Sequence, residues 1–142
     1  MQKRLSIGAA MLLLATASTA HAADPTGTWR MTNGKVTLRV SECGNELCGR
    51  IVGLSKPLDK NGRPKRDKDN PNPALRDRPV VGLSLLRNMR QIGENRWEGR
   101  IYNPDDGRTY NAKVRLNGST LQVKGCVLMF CKSQKFVRLN RK

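Results

Sequence analysis

The sequence predicts an all-β fold, a small antiparallel up-and-down barrel of about eight strands. Three observations predict it. Apolar and polar residues alternate over short stretches, the pattern of a strand with one buried face. Residues suited to tight turns recur between those stretches, at Asn33-Gly34, at Asn103 to Gly107 and at Asn117-Gly118. Few segments have the length and patterning of a long helix. Eight strands joined in chain order can close on themselves and so remove exposed edges. A two-sheet sandwich is the alternative arrangement.

Each element follows from its residues. A first strand at Thr28 to Met31 places Trp29 and Met31 on one face. Thr32-Asn33-Gly34 then turns the chain, because Asn-Gly readily takes the positive φ angles of a tight hairpin. Val36, Leu38 and Val40 alternate with Thr37, Arg39 and Ser41, and a third strand runs from Cys48 to Leu54 after Gly44-Asn45-Glu46. Residues 55–81 break the alternation with five prolines and many charges, so they form a long surface loop with one helical turn around Pro73 to Arg76. Strands resume at Leu83 to Arg90 and at Arg96 to Tyr102. After the turn at 103–107, Tyr110, Ala112, Val114 and Leu116 alternate with Asn111, Lys113 and Arg115. Thr120 to Cys126 and Ser133 to Leu139 complete the set.

The N-terminus has the make-up of an export signal. Lys3 and Arg4 precede an apolar run from Ile7 to Ala15, and Ala20-His21-Ala22 supplies a small-x-small cleavage pattern. The apolar run is too short to span a bilayer. Residues 1–22 are therefore expected to be a cleaved signal peptide, and residues 23–142 one periplasmic domain without a transmembrane anchor. Cleavage removes two of the 27 basic residues and none of the 11 acidic ones, which leaves a net charge of +14. It also removes His21, the single histidine. Ser-His-Asp and Cys-His nucleophiles and His-ligated metals are thereby excluded from the mature chain.

Several runs carry a family resemblance: Gly27-x-Trp29, "CGNELCGRI" at 43–51, "DNPNPALRDRPVVG" at 69–82, "WEGRIYNPDDGRTYNA" at 97–112 and "LQVKG" at 121–125. Together and in this order they resemble the exported bacterial family DUF2147. The resemblance implies a lipocalin-like β-barrel, in which an Arg of the last strand covers the first-strand Trp. Those structural roles fall here to Arg138 and Trp29. The resemblance implies no catalytic residues, and it points to ligand binding by analogy of fold alone.

Four features are candidates for chemistry. The cysteines come as two pairs with equal spacing, Cys43 with Cys48 and Cys126 with Cys131. An even count in an oxidising compartment reads as disulfides, and because each pair sits at a strand reversal, 43–48 with 126–131 is favoured over either crossed pairing, while a four-cysteine zinc site suits neither the spacing nor the compartment. Asp67, Asp69 and Asn70 resemble the start of a calcium loop, but the remaining ligand pattern is missing, so an Asx-ordered turn is expected there. Asp105 and Asp106 read as turn residues. The basic excess is expected on outward strand positions and in the long loop, with no nucleic-acid motif beside it.

The expected function is that of a binding protein and not an enzyme, with no cofactor or metal, holding a small apolar or amphipathic molecule inside the barrel. Trp29, Leu38, Trp97, Ile101, Tyr110 and Val114 are the expected lining. The alternative is a basic interaction module that docks on anionic envelope components through Lys65, Arg66, Arg76 and Arg78.

Overall fold

A computed structural model describes residues 23–139 and the single residue Ala17. The segment read as a signal peptide thus lies, Ala17 apart, outside the described residues. Eight strands follow one another: β1 (Gly27–Met31), β2 (Val36–Cys43), β3 (Glu46–Leu54), β4 (Ser84–Gly93), β5 (Arg96–Asn103), β6 (Arg108–Asn117), β7 (Thr120–Val127) and β8 (Phe130–Arg138). One 3-10 turn, Pro73–Leu75, interrupts the long connection between β3 and β4. Every strand pairs antiparallel with its neighbour in sequence, and β8 returns to β1, so the sheet is a closed barrel. The closing seam is short: Trp29 opposite Arg138, Arg30 opposite Val137, and Met31 opposite Phe136.

The strands run further into the hairpins than alternation indicates. β3 starts at Glu46 and β8 at Phe130, because Cys43 pairs with Glu46 and Val127 with Phe130 right up to the turns. Ladder hydrogen bonds need only backbone, whereas alternation vanishes at a tip where both faces meet water. In the body of the barrel the alternation is plain. Along β6, Ala112, Val114 and Leu116 are buried while Asn111, Lys113 and Arg115 are exposed.

Strand direction sorts the connections to two ends. The chain enters and leaves at one end, which also carries the β2–β3, β4–β5 and β6–β7 turns. The other end, here called the mouth, carries the β1–β2, β5–β6 and β7–β8 turns and the long β3–β4 loop. The first end is plugged. Trp29 is fully buried, and its indole Nε1 donates to the carbonyl of Pro25 at 2.9 Å. The Arg138 guanidinium lies 4.2 Å from the centre of the Trp29 ring and donates to the carbonyls of Thr26 and Asp24, each at 2.6 Å. A cation on an aromatic face that also ties down backbone carbonyls fastens the end of the chain. Gly27 makes room for it. Its φ is +127°, and a Cβ there would come within 2.8 Å of Arg138 Nη1.

The cysteines form two disulfides, one at each end. Cys43–Cys48 spans the β2–β3 hairpin diagonally with a Cα separation of 5.8 Å, since Cys48 stands opposite Ser41. Cys126 and Cys131 stand directly opposite each other on the β7–β8 hairpin, with Cα atoms 4.1 Å apart.

Candidate functional site

Side-chain size divides the barrel interior into two halves. Toward the plugged end, Trp29, Leu38, Met89, Trp97, Val114, Leu116 and Leu121 belong to one continuous buried cluster. Toward the mouth two inward positions of β7 are small. On β7, Val123 and Gly125 succeed Leu121, and a Cβ on Gly125 would already touch Ile101 at 3.3 Å. The space left is a cavity of about 1380 Å³ that opens to solvent at the mouth. Its inner wall is apolar, formed by residues such as Ile51, Leu85, Ile101, Val123 and Phe136, with Tyr110 adding a hydroxyl. An apolar chamber with a few convergent polar groups is the usual make-up of a small-molecule site.

Of the residues expected to line a ligand site, Ile101 and Tyr110 lie on this cavity wall. Trp29, Leu38, Trp97 and Val114 do not. All four are buried core residues that the cavity lining does not include. The cavity wall thus holds Ile101 and Tyr110 together with Ile51, Leu85, Val123 and Phe136.

The long loop is fastened beside the mouth by a buried polar cluster. Asp67 is fully buried, and its carboxylate accepts from Arg78 Nε at 3.0 Å, Arg78 Nη2 at 2.9 Å, Asn70 Nδ2 at 2.8 Å and the Tyr102 hydroxyl. Four donors thus converge on this buried carboxylate, three of them on Oδ2 and the tyrosine hydroxyl on Oδ1. Asn70 in turn donates to the Tyr102 oxygen at 3.0 Å, and its side-chain oxygen accepts from Asn72 N at 2.9 Å, the expected Asx-ordered turn. Arg87 lies 5.2 Å from the Tyr102 ring centre. Burial, and then the bond to Asp67, raise the Tyr102 pKa above the ordinary tyrosine value. The β5–β6 turn closes against the same loop. Gly107 has φ +69°, and a Cβ there would stand 1.7 Å from the Asp69 carbonyl oxygen. The runs at 69–82 and 97–112 are therefore two sides of one contact.

The four cations considered for an anionic surface divide as well. Lys65 and Arg66 stand on the cavity rim, where Arg66 meets Asp77 at 3.4 Å. Arg78 is committed to Asp67, and Arg76 Nε donates to the Asn70 carbonyl at 2.7 Å. Both arginines thus help to hold the loop, because a buried carboxylate and a turn carbonyl need donors. Lys35, Lys56 and Lys132 join Lys65 on the rim, and none of these four lysines makes an ion pair among the described residues. Asp105 and Asp106 also reach the rim. Asp106 accepts from Arg108 N at 2.9 Å and from the Tyr110 hydroxyl, a bond that raises the Tyr110 pKa.

This architecture has a solved counterpart. The chain is similar to "Protein HP1028 from the human pathogen Helicobacter pylori belongs to the lipocalin family", with a TM-score of 0.72, 23% identity, and coverage of 82% of this chain and 84% of that one. At that identity the likeness is one of fold, and the fold is a lipocalin-like barrel. Among curated proteins the sequence has no match. Residues 27–138 match the model of the family described as "Uncharacterized protein conserved in bacteria (DUF2147)", and the chain belongs to that family.

Proposed function

We propose that this protein is an exported, non-catalytic binding protein that holds a small apolar or amphipathic molecule in the mouth half of its barrel. The observation that carries the reading is the apolar cavity between a plugged end and an open one. Its wall suits a hydrocarbon chain, and the lysines of the rim suit an anionic head group left at the surface. The disulfides favour an oxidising compartment, in keeping with the export signal read from residues 1–22. A chain without histidine after that signal lacks the commonest general base.

Titration with a dansyl-labelled fatty acid tests the proposal. Saturable emission enhancement at one site per barrel is expected. Val123→Trp, which fills the chamber, should weaken it about tenfold or more while the barrel stays folded. Absence of saturable binding, or equal binding by the filled variant, overturns the reading. The second reading, a basic module for anionic envelope components, is favoured by the four unpaired rim lysines. It predicts binding that moderate salt abolishes and Val123→Trp leaves intact.

A further inference from the structure

The β7–β8 hairpin ends in four consecutive apolar residues that face water. Leu128 is 91% exposed, Met129 87%, Phe130 77% and Val127 50%. Other exposed apolar residues, such as Val52 on β3 and Ile92 on β4, stand singly along the outer wall and need no explanation. A run of four at one tip is different, because each side chain loses favourable transfer energy that a polar residue would not forfeit.

The backbone points the same way. Leu128 is the first of two central residues in this hairpin, and its φ is +53°. Glycine is the usual occupant of that position, since a side chain is strained there. A large apolar side chain is thus kept where turn chemistry disfavours it. The Cys126–Cys131 bridge sits directly beneath the tip and holds its two strands together whatever the tip contacts.

The tip stands at the mouth. Val127, Phe130, Cys131 and Lys132 belong to the cavity lining, together with rim lysines Lys35, Lys56 and Lys65. An apolar spike beside unpaired lysines is complementary to a surface that is anionic outside and apolar beneath. A second copy of this chain fits poorly, because two molecules of net charge +16 repel one another. A narrow protruding tip also differs from the broad apolar patch of a protein interface.

We infer that the β7–β8 hairpin is a membrane-docking element: Leu128, Met129 and Phe130 enter the interface of an anionic phospholipid bilayer while the rim lysines bind its head groups. Docking in this pose sets the cavity mouth on the lipid surface. The inference goes beyond the binding reading and stands even if the cavity holds nothing.

Vesicle flotation with the full mature chain tests it. Binding to phosphatidylglycerol/phosphatidylethanolamine vesicles is expected, with little binding to pure phosphatidylcholine. The double variant Leu128→Asn/Met129→Ser leaves the disulfide intact and puts a tolerant residue at the positive φ. It should lose about tenfold or more of the anionic-vesicle affinity with an unchanged near-ultraviolet circular dichroism spectrum. In a second measurement, the emission of Met129→Trp should shift to the blue on anionic vesicles and not on neutral ones. Undiminished binding by the double variant, or no blue shift, overturns the inference. So does a concentration-dependent dimer that the double variant abolishes without vesicle binding, which would assign the tip to a second copy.

Discussion

Tyr102 shows how one residue ties two distant segments together. Its hydroxyl donates to Asp67, 35 positions earlier, inside a cluster shut off from water. Burial and this bond both favour the protonated phenol, so its folded-state pKa lies above the ordinary value of 10.0. The sign of the linkage follows. The stabilisation is complete below the unfolded tyrosine pKa and is lost as pH rises through the folded one. Urea unfolding across alkaline pH should therefore show stability falling above pH about 10, with a shallower fall in Tyr102→Phe, the lysines acting alike in both. At neutral pH the variant should be less stable by roughly 1.5–3 kcal/mol, the scale of a hydrogen bond to a charged group. The sequence showed that Asp67 and Asn70 belong to an ordered turn. It could not show their partner, because nothing local relates a loop aspartate to a strand tyrosine.

Hairpins are the elements on which both the fold and the proposed docking rest. Turn residues and cysteine spacing were enough to place them, since each depends on contacts within a few residues. Where alternation fades, as at Glu46 and at Phe130, strand ends were underestimated. Gly107 illustrates an element whose role was half legible. Asp106-Gly107 marks a turn by itself, but the contact with the Asp69 carbonyl comes from the long loop. Gly107→Ala should displace that loop, because both the positive φ and the backbone contact oppose a Cβ. A loss of about 2–4 kcal/mol is expected from strain and lost loop packing. Amide exchange should accelerate in residues 55–83 while the β6–β7 ladder keeps its protection. Equal protection throughout would refute the role given to this contact.

At the scale of the molecule, one barrel does two jobs in two halves. Trp29, Trp97 and their neighbours supply the packed half that makes closure stable, and the mouth half is left open. Trp97→Ala should cost about 3–5 kcal/mol in chemical unfolding, yet leave the affinity of the folded barrel for the dansyl fatty acid within about twofold, because Trp97 does not line the chamber. A large loss of affinity without a loss of stability would move the site into the packed half. The aromatic residues could not be divided between core and cavity in advance. Alternation reports which face of a strand points inward, and it is silent on the height at which the interior fills.

By itself the sequence determined that the chain is all-β, that its strands succeed one another through tight hairpins, and that its cysteines close locally. It also carried the family motifs. These properties reside in backbone propensity, period-two alternation and short loops, all of which operate over a few residues. Only the tertiary structure decided that Tyr102 seals Asp67, that Arg78 is a loop fastener, that four of the expected lining residues are core, and that the exposed tip stands beside the lysines of the cavity mouth. Those facts depend on how eight strands are staggered around a closed barrel, which brings together side chains far apart in the chain and sets how much space remains between them.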